Sequence, residues 1–291
     1  MTQIRRHILV VGSVGADIVV EVNRMPARGE TLSASKPDTG NVYPGGKGDN
    51  QAATIAKLIG PDHPTLIAKM ACQFGNDTEK GSRATCLSGL AFVFVYPDGD
   101  NSIVIVSGAN SAWPEELPTA LIDAIKNAAI VLVQCEIPVR VNALEAKAAA
   151  KSTVPIMWDT GGDDYPIPEE CSSLADFRVP ERNGARTPND TWSAKDVLVT
   201  LGSDGSVFVP ADGSKVLRQS AFKVDNVVDT TGAGDCYRGA FVVAFAEGRA
   251  LQDCMLRASA ASALCVQHAG ALPSLPLTDE VVGYLKVNGF E

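Results

Sequence analysis

Apolar positions along this chain follow two rhythms that take turns. Residues 8–14 form a β-branched run that stops at Gly12-Ser13, the mark of a buried first strand. Asp17 to Val22 alternate and turn at Met25-Pro26, and Thr31 to Ser35 are expected to return as the second arm of a hairpin. Residues 45–60 open with glycines and continue as a helix through Ala52, Ala53, Ile55, Ala56, Leu58 and Ile59. A short strand is predicted from Leu66 to Met70. Phe92–Tyr96 and Ile103–Val106 read as strands joined by the turn Asp98-Gly99-Asp100-Asn101.

The alternation continues with helix at 115–127, strand at 130–134, helix at 139–151 and strand at 154–158. Residues 160–195 are rich in Pro, Gly, Asp and Asn and read as irregular. Val197–Leu201 and Ser206–Val209 read as strands, a helix runs through Asp235, Phe241, Ala244 and Phe245 to a stop at Gly248, and Leu251–Gln267 is an Ala-rich helix. Strand and helix in alternation imply an α/β fold: a mostly parallel central sheet with helices on both faces. The hairpin segments near 18–35 and 91–107 do not fit that sheet and are expected to form a small β lid. The whole chain, 1–291, is read as one domain.

Composition narrows the classes. Apolar residues make up 45%, enough for a substantial core, and the net charge of −9 argues against a nucleic-acid or anionic-membrane partner. No apolar run approaches the length of a membrane span. Ile4-Arg5-Arg6-His7 leads straight into Ile8–Val11, so no secretory signal is expected and a cytoplasmic location is, with organelle targeting left open. Seven scattered cysteines without a Cys-x-x-Cys, and only three histidines, favour free thiols over a zinc site.

The strongest chemical signal is Asp229-Thr230-Thr231-Gly232-Ala233-Gly234-Asp235, placed where the helix through Phe241 begins. Small residues there let backbone N–H groups approach a ligand, and a helix N-terminus with bare N–H groups is an anion site. A carboxylate repels phosphate but suits the proton of an attacking hydroxyl, so Asp235 reads as a base for phosphoryl transfer to an alcohol. Gly45-Gly46-Lys47-Gly48-Asp49-Asn50-Gln51 is a near miss to a phosphate-binding Walker loop, with Gly48 where Ser or Thr would be needed. Its glycines still permit close approach, and Lys47 and Asn50 can bond hydroxyls.

Asp17 lies just past the first strand, where ligands collect in open parallel sheets. Glu136 stands similarly after Ile130–Gln134; it can bind a hydroxyl, hold a hydrated magnesium, or be an exposed loop acid. Thr200-Leu201-Gly202-Ser203-Asp204-Gly205 is a turn suited to ribose or phosphate, or a plain hairpin turn. His268-Ala269-Gly270-Ala271 and Pro273-Ser274, with Asp229, offer oxygens for a cation or form an ordinary helix exit.

Together these segments resemble the ribokinase-like (PfkB) family of sugar kinases from about Ile8 to Pro276, and Ser102–Asn110 and Gln134–Pro138 follow the family's habit. The resemblance implies ATP as phosphoryl donor, Mg²⁺ and K⁺ as cofactors, and the 5-hydroxyl of D-ribose as acceptor. Asp235 would be the base, and Gly232, Ala233 and Gly234 the anion hole. Asp17, Gly45, Gly46, Lys47, Asn50, Glu136 and Asp235 would hold the sugar. Thr200, Gly202, Ser203, Gly205 and Gly234 would line the nucleotide site. Asp229, the Thr231 carbonyl, Gly270 and Ser274 would surround potassium. The lid would also make a homodimer contact.

The chain departs from the family at several places. Gly15 stands where Asn is usual, and Asp49 where a small residue is. A strand and loop are missing between Leu90 and Ala91. The Asn-x-x-Glu motif is broken, mapping either to Pro180-Glu181-Arg182, with Gly184 in place of its Glu, or to Thr187-Pro188-Asn189-Asp190, with Trp192 there. A helix before the strand at 197 is missing as well. A related sugar or nucleoside kinase and a binding-only relative are the alternatives that these departures leave open.

Overall fold

The computed structural model describes residues 5–73, 87–97, 101–161, 173–180 and 195–290. Its main sheet has eight strands: β1 (Arg6–Val11), β4 (Leu66–Ala71), β7 (Ala128–Gln134), β8 (Ile156–Asp159), β9 (Phe177–Val179), β10 (Asp196–Thr200), β11 (Ser206–Val209) and β12 (Leu217–Gln219), in the order β12-β11-β10-β9-β8-β7-β1-β4. All neighbours from β4 to β10 pair parallel, and β11 and β12 close one edge antiparallel.

The period-two geometry of a strand explains why these segments read as continuous apolar runs. Ile8, Val10, Ile130, Leu132 and Met157 face one core; Leu9, Val11, Val131, Val133, Ile156 and Trp158 face the other. The first core is covered by α1 (Lys47–Ile59), α4 (Ala233–Ala246), α5 (Leu251–Cys265) and α7 (Thr278–Val287), through residues such as Ile55, Phe241, Met255 and Val281. The second is covered by α2 (Thr119–Lys126) and α3 (Val139–Lys151), through Leu121, Ile125 and Val141. The short helix α6 (Ala271–Ser274) lies between α5 and α7 in the chain.

A second sheet forms the lid. It contains β2 (Gly15–Glu21), β3 (Asn41–Gly45), β5 (Gly89–Val95) and β6 (Asn101–Val106), in the order β3-β2-β5-β6. Two antiparallel pairs, β2/β3 and β5/β6, are joined by the parallel pair β2/β5, which runs from Gly15↔Gly89 to Glu21↔Val95.

Several expectations are corrected. The return arm of the first hairpin is Asn41–Gly45, not Thr31–Ser35. Residues 22–40 form a turn-rich excursion tied back by Ser35 N to Glu21 O and Gly40 N to Val19 O, each at 2.8 Å. The apolar pair Val42-Tyr43 supplies the strand instead. The helix expected at 115–127 starts at Thr119 because Pro118 fixes an extended backbone before it. Residues 160–195 are not wholly irregular, since Phe177–Val179 forms β9. β12, only three residues long, and α7 were not expected from the sequence. Gly248 does stop α4, with φ 80°. The turn at Asp98-Gly99-Asp100, the residues from Glu181 to Ala194 that would carry the Asn-x-x-Glu motif, and the missing helix there lie outside the described residues.

Glu145 on α3 is fully buried, and neither carboxyl oxygen has a partner among the described residues. Burial pushes its carboxyl well above the usual carboxylate range. The native state therefore keeps a proton that the unfolded chain loses, and stability falls as pH rises past the unfolded value of 4.5. Glu145→Gln should stabilise the protein, with a gain that grows from pH 5 towards 8 at up to ~1.4 kcal/mol per pH unit. Urea denaturation of both proteins at three pH values checks this; a pH-independent difference would contradict it.

Candidate active site

Because β1, β7, β8, β9 and β10 are parallel, their C-terminal ends share one edge of the sheet. Ser13 follows β1, Glu136 follows β7, Asp159 ends β8 and Thr200 ends β10. A cavity of about 240 Å³ opens at this edge beneath the lid. Its polar wall includes Asp17, Lys47, Asn50, Glu136, Thr230, Thr231 and Asp235, with Gly46 and Gly232; Leu90, Ala91, Val93, Ile103 and Ile105 of the lid form the apolar side.

The glycine loop between β3 and α1 shapes the floor. Gly46 takes φ 99°, open to glycine and strained for other residues, and turns the chain into α1. At Gly45 a Cβ would lie 2.2 Å from the Asp17 carboxyl, so the missing side chain makes room for that carboxylate. Glu136 accepts from Lys47 N at 2.8 Å and from the Ser13 hydroxyl, and Ser13 Oγ in turn accepts from Gly48 N at 3.3 Å. These bonds satisfy the first N–H groups of α1 in the absence of a side-chain cap. Asp17 is pushed up to about 6, first by burial and then by the charges of Glu136 and Asp49.

The second half of the site is the start of α4. Gly232 adopts the left-handed conformation, φ 77°, at the N-cap, and Asp235 stands in the first turn. Asp235 is 7% exposed. Asn50 Nδ2 donates to its Oδ2 at 3.0 Å and Gln51 Nε2 to its Oδ1 at 3.0 Å. Burial raises its carboxyl to about 6; Lys47 and Arg238 pull it down, Asp159 pushes it up, and the Asn50 bond lowers it.

The structure thus gathers Asp17, Gly46, Lys47, Asn50, Glu136, Gly232 and Asp235 around one cavity. Gly45 sits just outside the wall, and Ala233 and Gly234 form the first turn of α4 behind Gly232. Asp229 ties two loops together: its Oδ1 accepts from Thr231 N at 2.9 Å and its Oδ2 from Gly270 N at 2.8 Å. Ser274 is close by in sequence, but its hydroxyl donates to Ala271 O at 2.7 Å and meets Cys265 Sγ at 3.0 Å. Thr200, Gly202, Ser203 and Gly205 are not on the cavity wall. They lie at the same sheet edge, three strands from β7, which at the usual spacing is roughly 14 Å. At Gly205 a Cβ would strike Gln219 O at 2.0 Å, so close approach of β12 explains that glycine.

Several site residues were not singled out from the sequence. Asn110 lines the cavity and clamps the backbone of Val14, accepting from its N and donating to its O, each at 3.0 Å. Asp159 and Arg238 form an ion pair at 3.0 Å beneath Asp235, both almost fully buried. The position of Asp159 at a strand end is the same signal that marked Asp17. Arg238 lies one helical turn after Asp235, where a charged residue inside an apolar helix is the clue.

A glycine-led helix start beside a buried carboxylate, roofed by a lid, suits a phosphotransferase that acts on an alcohol. The pfkB family of carbohydrate kinases matches residues 5–278, and the chain belongs to that family. It is 40% identical to the ribokinase of Arabidopsis thaliana, over 96% of this chain and 81% of that one. It is 31% identical to the ribokinase of Lactococcus lactis, over 95% and 96% of the two chains. Among solved structures, the Arabidopsis thaliana ribokinase complexed with ribose and ATP superposes with a TM-score of 0.83 at 38% identity, covering 97% of this chain and 99% of that one.

Gly45→Ala should displace the Asp17 carboxylate, because the new Cβ would sit on it. The expected result is a sugar KM raised by about tenfold or more, with kcat and thermal stability changed far less. An unchanged KM would show that Asp17 has room the geometry does not indicate.

Proposed function

We propose that this protein is an ATP-dependent kinase that phosphorylates the 5-hydroxyl of D-ribose to give D-ribose 5-phosphate. The observation that carries this reading is Asp235, a buried carboxylate raised to about 6 at the first turn of a glycine-led helix, facing the cavity that also holds Asp17, Lys47, Asn50 and Glu136. The likeness to ribokinases along nearly the whole chain supports the choice of ribose.

In the proposed reaction, Asp17, Gly45, Gly46, Lys47, Asn50 and Glu136 orient the sugar with its 5-hydroxyl against Asp235. The hydroxyl oxygen attacks the γ-phosphorus as Asp235 accepts its proton. The new sugar O–P bond forms while the bond from γ-phosphorus to the β,γ-bridging oxygen breaks, and ADP leaves. Backbone N–H groups of Gly232, Ala233 and Gly234 stabilise charge on the transferring group. Lys47, on the cavity wall, offsets negative charge in the site. Thr200, Gly202, Ser203 and Gly205, with Gly234, are assigned to the nucleotide at the same sheet edge.

Magnesium would neutralise phosphate charge on ATP. For potassium, Asp229 stands between the two loops that would supply the other ligands, its carboxylate oxygens accepting from Thr231 N and Gly270 N. The ion would hold the loop before α4 against the loop before α6 and add positive potential beside the anion hole. The Ser274 hydroxyl donates its proton to Ala271 O, which turns oxygen lone-pair density away from that bond and leaves it able to meet a cation. The exposed Val42 and Val104 of the lid support a homodimer contact there, and none of the five described cysteines forms a disulfide, which suits a reducing cytoplasmic setting. No described helix is long and apolar enough to cross a membrane.

A related sugar as substrate is the second reading. It is favoured by Gly15, where a side chain would meet Gly89 O at 2.6 Å, so no side chain from that position can reach a sugar.

Two measurements test the first reading. Asp235→Asn should keep its fold and lose about 10³-fold or more in kcat, measured as ribose-dependent ADP release; retained turnover would exclude Asp235 as base. Both Asp17 and Asp235 are raised to about 6, so kcat/KM for ribose should fall below that pH with a slope steeper than one, as both carboxylates take up protons. A profile flat down to pH 5 would contradict the assignment, and a pentose or nucleoside preferred over ribose by kcat/KM would select the second reading.

A further inference from the structure

Gln51 is part of neither the cavity wall nor a hydrophobic cluster. It lies on α1 one position past Asn50 and is fully buried. Its Nε2 donates to Oδ1 of Asp235 and to Oδ2 of Asp159, each at 3.0 Å. That contact fixes the amide's orientation, since the carbonyl oxygen in the same place would face two anions. Its Oε1 points away and accepts from Gln134 Nε2 at 2.8 Å.

Asp159 is anchored from behind. Its Oδ1 accepts from Arg238 Nη2 and from Gly161 N, each at 3.0 Å, and Lys47 Nζ stands 3.8 Å from its Oδ2. A packed apolar side chain would fill the place of Gln51 without burying an amide between two carboxylates, a costly arrangement for packing alone. What the amide supplies is a fixed direction. With Asn50 on Oδ2 and Gln51 on Oδ1, both oxygens of Asp235 are held and the carboxylate plane cannot turn.

We propose that Gln51, anchored by the Asp159–Arg238 ion pair and by Gln134, is a positioning residue that sets the rotation of the Asp235 carboxylate towards the cavity. The proposal rests on the reading of Asp235 as the base. The charged groups facing Asp235 are Lys47 from α1, Asp159 from β8 and Arg238 from α4 itself. Replacing Gln51 leaves all three charges in place, so a shift in titration reports the lost hydrogen bond and the opened path between the two carboxylates.

The test compares wild type with Gln51→Met, Gln134→Met and Asp235→Asn, each checked for native fold by circular dichroism and thermal melting. The readout is kcat against pH at saturating ribose and MgATP, where bound sugar occupies Asp17 and the acid limb belongs to Asp235. Gln51→Met should lower kcat by about tenfold to a hundredfold with ribose KM within about twofold, and move the acid limb up by about one pH unit. Gln134→Met, which frees Gln51 without touching Asp235, should change both in the same direction by less. A folded Gln51→Met with unchanged kcat and an unmoved limb overturns the proposal; so does a lower melting temperature with no kinetic change. If Gln51→Met fails to fold, an unmoved limb and unchanged kcat in Gln134→Met overturn it. Turnover surviving in Asp235→Asn would instead sink the base assignment itself, and the proposal with it.

Discussion

The crossing of α1 and α4 is the constraint on which the site depends. At Gly239 a Cβ would lie 2.7 Å from the Thr54 side chain, so only a glycine lets the two helices come this close. Thr54 is one turn past Asn50, and Gly239 one turn past Asp235. The close approach therefore brings Asn50 and Gln51 to hydrogen-bond distance of Asp235 on the adjoining turn. Thr54 also bonds back to Asn50 O at 2.8 Å, which ties the contact point to the residue that touches Asp235. The glycine-led starts of both helices then face the same cavity, one through Gly46 and one through Gly232.

Charge balance makes this crossing tolerable. Two buried carboxylates, Asp159 and Asp235, are matched by Arg238 and Lys47, with the Gln51 amide between them. Removing one member of a buried ion pair typically costs about 3–5 kcal/mol, because the other is left unpaired. The layer thus behaves as one unit, and Asp235 can be buried enough to be a useful acceptor near neutral pH without a charge stranded beneath it.

The sequence made β1, β7 and β8 legible because they are buried on both faces and read as apolar runs, whereas β9 and β12, three residues each, gave no such signal. The glycine loops were legible because their residue types serve little else so well in that order. The lid was only half legible. Val42-Tyr43 is too short a run to outweigh Thr31–Ser35 in a reading by pattern, and the true pairing is set by register against β2, a long-range fact. The supporting layer of Gln51, Gln134, Asp159 and Arg238 was missed for a similar reason. Each is a single polar residue on a different element, from α1 to α4, and only the packed fold shows that they meet.

Two departures from the family pattern, Gly15 and the shortening at Leu90-Ala91, become one feature in the structure. β5 runs without a break through Leu90 and Ala91 and pairs with β2 from Gly15↔Gly89 onward. At that first pair the strands are so close that a Cβ on Gly15 would meet Gly89 O at 2.6 Å. A Cβ on Gly89 would in turn meet Asn110 Nδ2 at 2.3 Å, the amide that clamps Val14. A larger residue at 15 would push β5 away, and a larger residue at 89 would break the clamp. The bare position at 15 is thus what the shortened lid requires: it seats β5 directly on β2 and brings Leu90, Ala91 and Val93 onto the cavity wall. The pocket has no side chain at that edge, and its lid side is apolar.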